Sequence, residues 1–153
     1  MSYRLLLLAH LLGVIVWVGG MFFAHFALRP AAAATLQPPE RLQLMAAVLG
    51  RFFTWVEWSI VLILASGAAM MGRMFAVPAY IHAMLGIGVL MMLLFGHIRF
   101  ALYRRLAAAV VVSDWPAAAA ALGRIRLLVA VNLGLGLLVV AIAAAEPGVV
   151  SLV

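Results

Sequence analysis

Four stretches of the chain run almost without charge, separated by short segments that gather arginine, proline and small polar residues. Residues 5–28, 74–98 and 127–145 contain no Asp, Glu, Lys or Arg, and residues 52–71 contain only Glu57. At 1.5 Å per residue each stretch can cross about 30 Å of hydrocarbon as an α-helix. The pattern predicts an all-α fold, a transmembrane antiparallel four-helix bundle with spans at about 5–28, 52–72, 77–99 and 125–145, in one domain over 1–153.

Local signals sharpen the boundaries. Pro38 and Pro39 before Glu40 make a good helix start, so the second helix is expected to begin before it enters the membrane. Ser113-Asp114-Trp115-Pro116 supplies a capping residue and an early proline, and the alanine-rich run after it leads into the fourth span. Pro78 interrupts the chain between the second and third spans, which leaves a short connection over 73–78. Arg4 and the small residues 31–34 around the first span imitate a secretory signal, but the apolar region is too long for one.

Composition agrees with the pattern: 69% of the 153 residues are hydrophobic and 9% are charged, which excludes an ordinary soluble domain. The net charge of +6 comes from arginine alone, since the chain has no lysine. Eight arginines (29, 41, 51, 99, 104, 105, 124 and 126) flank the first and third connections, whereas Arg4 and Arg73 flank the other side. By the positive-inside rule both termini face outward, in a bacterial-type inner membrane. Basic residues confined to helix ends suit anionic headgroups of the lipid bilayer and argue against nucleic acid as a partner. With no cysteine, disulfides, thiolate metal sites, iron–sulfur clusters and covalently attached haem are excluded.

Four histidines carry the candidate chemistry. His10 and His25 lie in the first span and His82 and His97 in the third, each pair fifteen positions apart. Fifteen residues of α-helix advance about 22 Å and return to within about 60° of the starting direction, so each pair can share one side of its helix. In an up-down bundle the first and third helices run the same way, so His10 is expected level with His82 and His25 level with His97. Diagonal helices about 11–14 Å apart would leave room for an edge-on porphyrin between imidazoles. The reading is one or two haem b groups, held by His10 and His82 outside and by His25 and His97 inside, in a cytochrome b-like protein that passes electrons across the membrane. The competing structural reading is that all four histidines simply meet water or headgroups near span ends. Gly13, Gly86, Gly88, Gly96, Gly134 and Gly136 either clear space for a macrocycle or let helices pack closely.

Other residues add alternatives. Glu57 lies about 9 Å inside its span, where a carboxylate needs a partner. It is read either as a catalytic proton or quinol-binding group or as half of a structural pair with an arginine or histidine. Asn132 could hydrogen-bond Glu57 or glue helices together. Met70, Met71, Met74 and Met84 gather near His82, and thioether with imidazole suits Cu(I), which makes copper the competing metal. A quinol or another redox partner is expected near Glu57, and glycine-lined helix faces permit an oligomer without requiring it.

His10-x6-Trp17-x-Gly19-Gly20-Met21-Phe22, an arginine-ended second helix, Ile81-His82 opening the third and Asn132 in the fourth resemble the CopD/HemJ superfamily of small helical membrane proteins. The HemJ-like branch implies haem b and oxidation of protoporphyrinogen IX, with His10 and His82 on its first- and third-helix histidines. That branch carries a lysine shortly after the third-helix histidine, where this chain reads Ile81-His82-Ala83-Met84-Leu85. The departure bears on oxidase activity and leaves haem ligation open. The CopD branch implies copper transport or resistance, and it matches the segment from His10 to Gly20 equally well.

Overall fold

The computed structural model describes residues 2–145, so part of the 1–153 domain, Met1 and 146–153, lies outside the described residues. Four long helices account for nearly all of them: α1 (Tyr3–Thr35), α2 (Pro38–Met71), α3 (Ala79–Val111) and α4 (Trp115–Ala144). All four are long and apolar enough to cross a membrane, and no strand occurs among the described residues. The fold is the expected antiparallel transmembrane bundle. All four helices continue beyond the charge-free stretches on the side of the first and third connections, because alanine and arginine are good helix formers once apolar residues run out.

The helix starts follow their local chemistry. Pro38 and Pro39 open α2, and Glu40 Oε2 accepts from the Gln37 N–H at 3.4 Å. Asp114 Oδ1 accepts from the Ala117 N–H at 3.0 Å and caps α4, with Pro116 in its first turn. Ser113, which turns the chain from α3 into α4, has φ 56°, in the left-handed region. Two π-helical turns interrupt α1 at Ile15–Gly19 and Ala24–Leu28, and one interrupts α3 at Ile98–Leu102.

One end of the bundle carries Tyr3, the connection after Met71 and the last turn of α4; we refer to it as the terminal end. The arginine-rich end carries the other two connections. Packing differs between them. From the middle toward the arginine-rich end, Phe53, Val56, Ile98, Leu106 and Ile125 are essentially inaccessible. Trp17 meets Phe95 edge-on with ring centroids 6.0 Å apart, and Phe53 meets Phe95 at 5.7 Å and Tyr103 at 5.5 Å. The Tyr103 hydroxyl donates to the Ala46 carbonyl at 3.2 Å, which ties α3 to α2.

Small residues set the closest approaches. A Cβ on Gly13 would lie 2.8 Å from Ile63 Cγ1 and 3.1 Å from the Ser59 carbonyl oxygen, so α1 and α2 touch through this glycine. A Cβ on Gly136 would lie 2.9 Å from Val18 and 3.2 Å from Met91, which brings α1, α3 and α4 together at mid-bundle. Between helices in lipid the stabilisation comes from such close van der Waals packing, since apolar burial gains little when the solvent is itself hydrocarbon. At the terminal end this packing thins: α3 has no buried residue over 79–90, and α4 has none over 137–145. There α1 packs on α2 through Leu6, Gly13, Ser59 and Ser66, apart from the shared core.

Candidate functional site

His10 is the most elaborately held histidine. Its Nδ1 lies 3.1 Å from the Ile63 carbonyl oxygen and 3.1 Å from Ser66 Oγ, both on α2. A carbonyl only accepts, so Nδ1 carries the proton and Nε2 keeps its lone pair. Ser66 is buried, and its hydroxyl donates to the Leu62 carbonyl at 2.6 Å, leaving the oxygen free to accept from the imidazole. Gly67 completes the cradle, since a Cβ there would sit 3.4 Å from His10 Cε1. The elements that build this arrangement are neighbouring helix faces: α2 offers Ile63, Ser66 and Gly67 on one side, and α1 inserts His10 against them.

His82 is exposed in the first turn of α3, where its Nδ1 donates to the Pro78 carbonyl at 3.1 Å. It therefore has the same tautomer as His10, with Nε2 available to a metal, an arrangement in which the second ring nitrogen fixes the ligating one. Met70, Met71, Met74 and Met84 are half-buried toward the same end. Imidazole nitrogen and thioether sulfur form a soft donor set that suits Cu(I) chemically. No group of three or more His, Cys, Asp or Glu able to hold a metal occurs among the described residues, so a centre here depends on thioethers as well.

The arginine-end histidines have different surroundings. His25 is half-buried with its ring edge-on to Phe26 at 4.9 Å. His97 is exposed and lines a cleft of about 300 Å3 with Arg105, Arg124 and Leu128, between α3 and α4. No hydrogen bond or ring contact joins His10 to His82 or His25 to His97 among the described residues. The interior between α1 and α3 is filled at mid-bundle by Trp17, Phe95 and the neighbouring Phe53 and Tyr103. His25 meets Phe26 of its own helix and His97 opens onto the cleft between α3 and α4, so the described contacts do not bring these two histidines to one site.

Glu57 has its partner in Arg99, whose Nε donates to Oε1 at 2.6 Å. The Arg99 guanidinium also lies 5.4 Å from the Tyr103 ring centroid, so the ion pair adjoins the aromatic cluster. Asn132 is 1% exposed, its Oδ1 has no hydrogen-bond partner among the described residues, and the bond that Glu57 accepts there comes from Arg99. The glycines divide: Gly13 and Gly136 mark close approaches, whereas Gly86, Gly88, Gly96 and Gly134 have nothing within 4 Å of a built Cβ.

Sequence reasoning overlooked Ser66 and Gly67. Their signal was present, since Ser59 and Ser66 are seven residues apart and put two hydroxyls on one face of an otherwise apolar helix.

The profile of the family described as copper resistance protein D (CopD) matches residues 46–146, about two thirds of the chain. Neither a curated protein nor a solved structure matches it.

Proposed function

Because the chain belongs to the copper resistance protein D family, we propose that it moves copper across the membrane it spans, taking Cu(I) at the terminal end through His10. The observation that carries this reading is the His10 imidazole held as its Nδ1–H tautomer by Ile63 and Ser66. That bond orients the ring and leaves Nε2 as the ligating atom. His82, in the same tautomer, is the second nitrogen ligand, and Met70, Met74 and Met84 supply thioethers that select the reduced ion. The loosely packed terminal end lets these side chains rearrange as an ion enters and leaves. The arginine asymmetry supports an inner-membrane orientation with the arginine-rich end in the cytoplasm and both termini outside, so copper would meet His10 first from outside. Glu57, paired with Arg99, serves to join α2 to α3 in this reading and does not act on a substrate.

A second reading keeps one b-type haem at the same end, and the shared tautomer of His10 and His82 favours it. Haem would supply one-electron chemistry, with quinol or a porphyrinogen as donor. In that case these two residues would hold it.

One set of measurements separates the readings: copper analysis, pyridine haemochrome and oxidised and dithionite-reduced visible spectra on the purified full chain. Wild type is expected to retain Cu(I) without porphyrin bands. His10→Ala should lose it, and Ser66→Ala should weaken binding roughly 10- to 100-fold, as removal of the group that orients a metal-bound histidine does elsewhere. Sharp b-type bands at one haem per chain, absent from His10→Ala, would replace copper with haem. Unchanged copper in His10→Ala would sink the assignment of His10.

A further inference from the structure

Arg126 on α4 shares a cleft of about 260 Å3 with Arg29 of α1 and Arg41 of α2, lined on its apolar side by Leu42, Met45 and Leu122. Three helices thus bring guanidinium groups to one opening at the arginine-rich end. No acid pairs directly with them: among the described residues the only salt bridge is Arg99 with Glu57. Glu40, adjacent to Arg41 in sequence, turns its Oε2 to the Gln37 N–H at the start of α2. Arginine does not discharge in proteins, so relief by deprotonation, open to a crowded lysine, is closed here. Like charges gathered on an apolar wall are unfavourable until an anion sits among them.

We propose that this cleft binds a phosphate-bearing anion, with Arg29, Arg41 and Arg126 donating to its oxygens. The planar guanidinium fork matches the oxygens of a phosphate, and donors arriving from three helices can surround it where one helix alone could not. The position suits a phospholipid headgroup: the opening lies at the end of the bundle, and the apolar side would receive the glycerol and acyl region. Inorganic phosphate offers the same oxygens without the apolar part. Bound there, the anion would fasten the end of α1 to the start of α2 and to α4, across the connection between α1 and α2.

Phosphatidylglycerol retained by the full chain in phosphatidylcholine nanodiscs can be counted by native mass spectrometry. Thermal unfolding in sodium phosphate against sodium chloride at equal ionic strength tests the free ion. Arg126→Ala should weaken retention roughly tenfold through loss of a charge-assisted hydrogen bond. Arg104→Ala removes an exposed arginine from the same end that lines neither cleft, and it should leave retention within about twofold. Arg126→Lys keeps the charge and serves where alanine impairs folding, with intermediate retention expected. Lipid retention that falls in the Arg126 variants alone supports the headgroup. Stabilisation by phosphate that disappears in those variants, without lipid retention, supports the free ion. Equal losses in Arg126→Ala and Arg104→Ala, or no binding of either anion by wild type, overturn the proposal.

Discussion

The two ends of the bundle are built on different principles. Toward the arginine-rich end, aromatic rings from α1, α2 and α3 interlock around Phe53 and Phe95, Tyr103 is hydrogen-bonded to the α2 backbone, and an ion pair joins α2 to α3. Toward the terminal end, α1 rests on α2 through a glycine and two serines, while α3 over 79–90 buries nothing. The first arrangement holds four helices in one geometry. The second leaves side chains with soft donor atoms half-buried and loosely surrounded, as the proposed copper site would require. Tight packing and the soft donor atoms proposed to take copper therefore lie at opposite ends of the bundle.

The most severe test of this division is truncation of the ring at the centre of the packed half. Phe53→Ala removes the residue that touches both Phe95 and Tyr103, and the cavity should cost about 3–5 kcal/mol, read from unfolding in mixed detergent micelles. Leu85→Ala, at a residue of α3 that is exposed and outside the packed core, should cost clearly less. Similar losses from both would erase the distinction between the ends.

Glycine-to-alanine changes sharpen the same comparison. A Cβ on Gly50 meets the Tyr103 hydroxyl, so Gly50→Ala must push that ring away and endanger its bond to Ala46. The expected loss is about 1–3 kcal/mol. Gly86→Ala meets nothing within 4 Å and should instead gain up to about 1 kcal/mol from helix propensity. Opposite signs in the same unfolding assay are the expected outcome, and a loss at Gly86 comparable to that at Gly50 would show that the terminal end is packed after all.

The four helices were legible because the bilayer imposes a length and forbids charge, and both constraints are written directly into the sequence. The helix starts at Pro38 and Trp115 were legible for a local reason, through proline and a capping aspartate. Histidine placement was harder. The fifteen-residue argument counts a regular α-helix, and it holds for His82 and His97, which share the unbroken stretch Ala79–His97, but a π-helical turn at Ile15–Gly19 lies between His10 and His25, and His25 itself sits in the next one, Ala24–Leu28. Phase cannot be carried through such a turn by counting, and nothing in these apolar segments announces one. Nor did spacing within α1 reveal that His10 turns to α2, because that depends on Ser66 and the Ile63 carbonyl more than fifty residues away. The partner of Glu57 was narrowed to an arginine or histidine by the cost of a lone carboxylate, while the choice of Arg99 follows from how α2 and α3 pack.

The smallest effect is expected where rigidity at the arginine-rich end meets a residue that opposes it. Ser113 holds φ 56° in the turn from α3 to α4, a conformation unfavourable for a residue with a Cβ and free of that penalty for glycine. Ser113→Gly relieves the penalty in the folded state but also widens the unfolded ensemble, and the two effects act in opposite directions. The net gain should stay below about 1 kcal/mol. Ser113→Ala keeps the Cβ and loses the hydroxyl, so it should not share the gain. Thermal unfolding of the pair distinguishes relief of backbone strain from loss of a side-chain contact. Equal shifts in both variants would mean that the left-handed turn contributes no strain, and that the packed end tolerates its tight connection through the Asp114 cap alone.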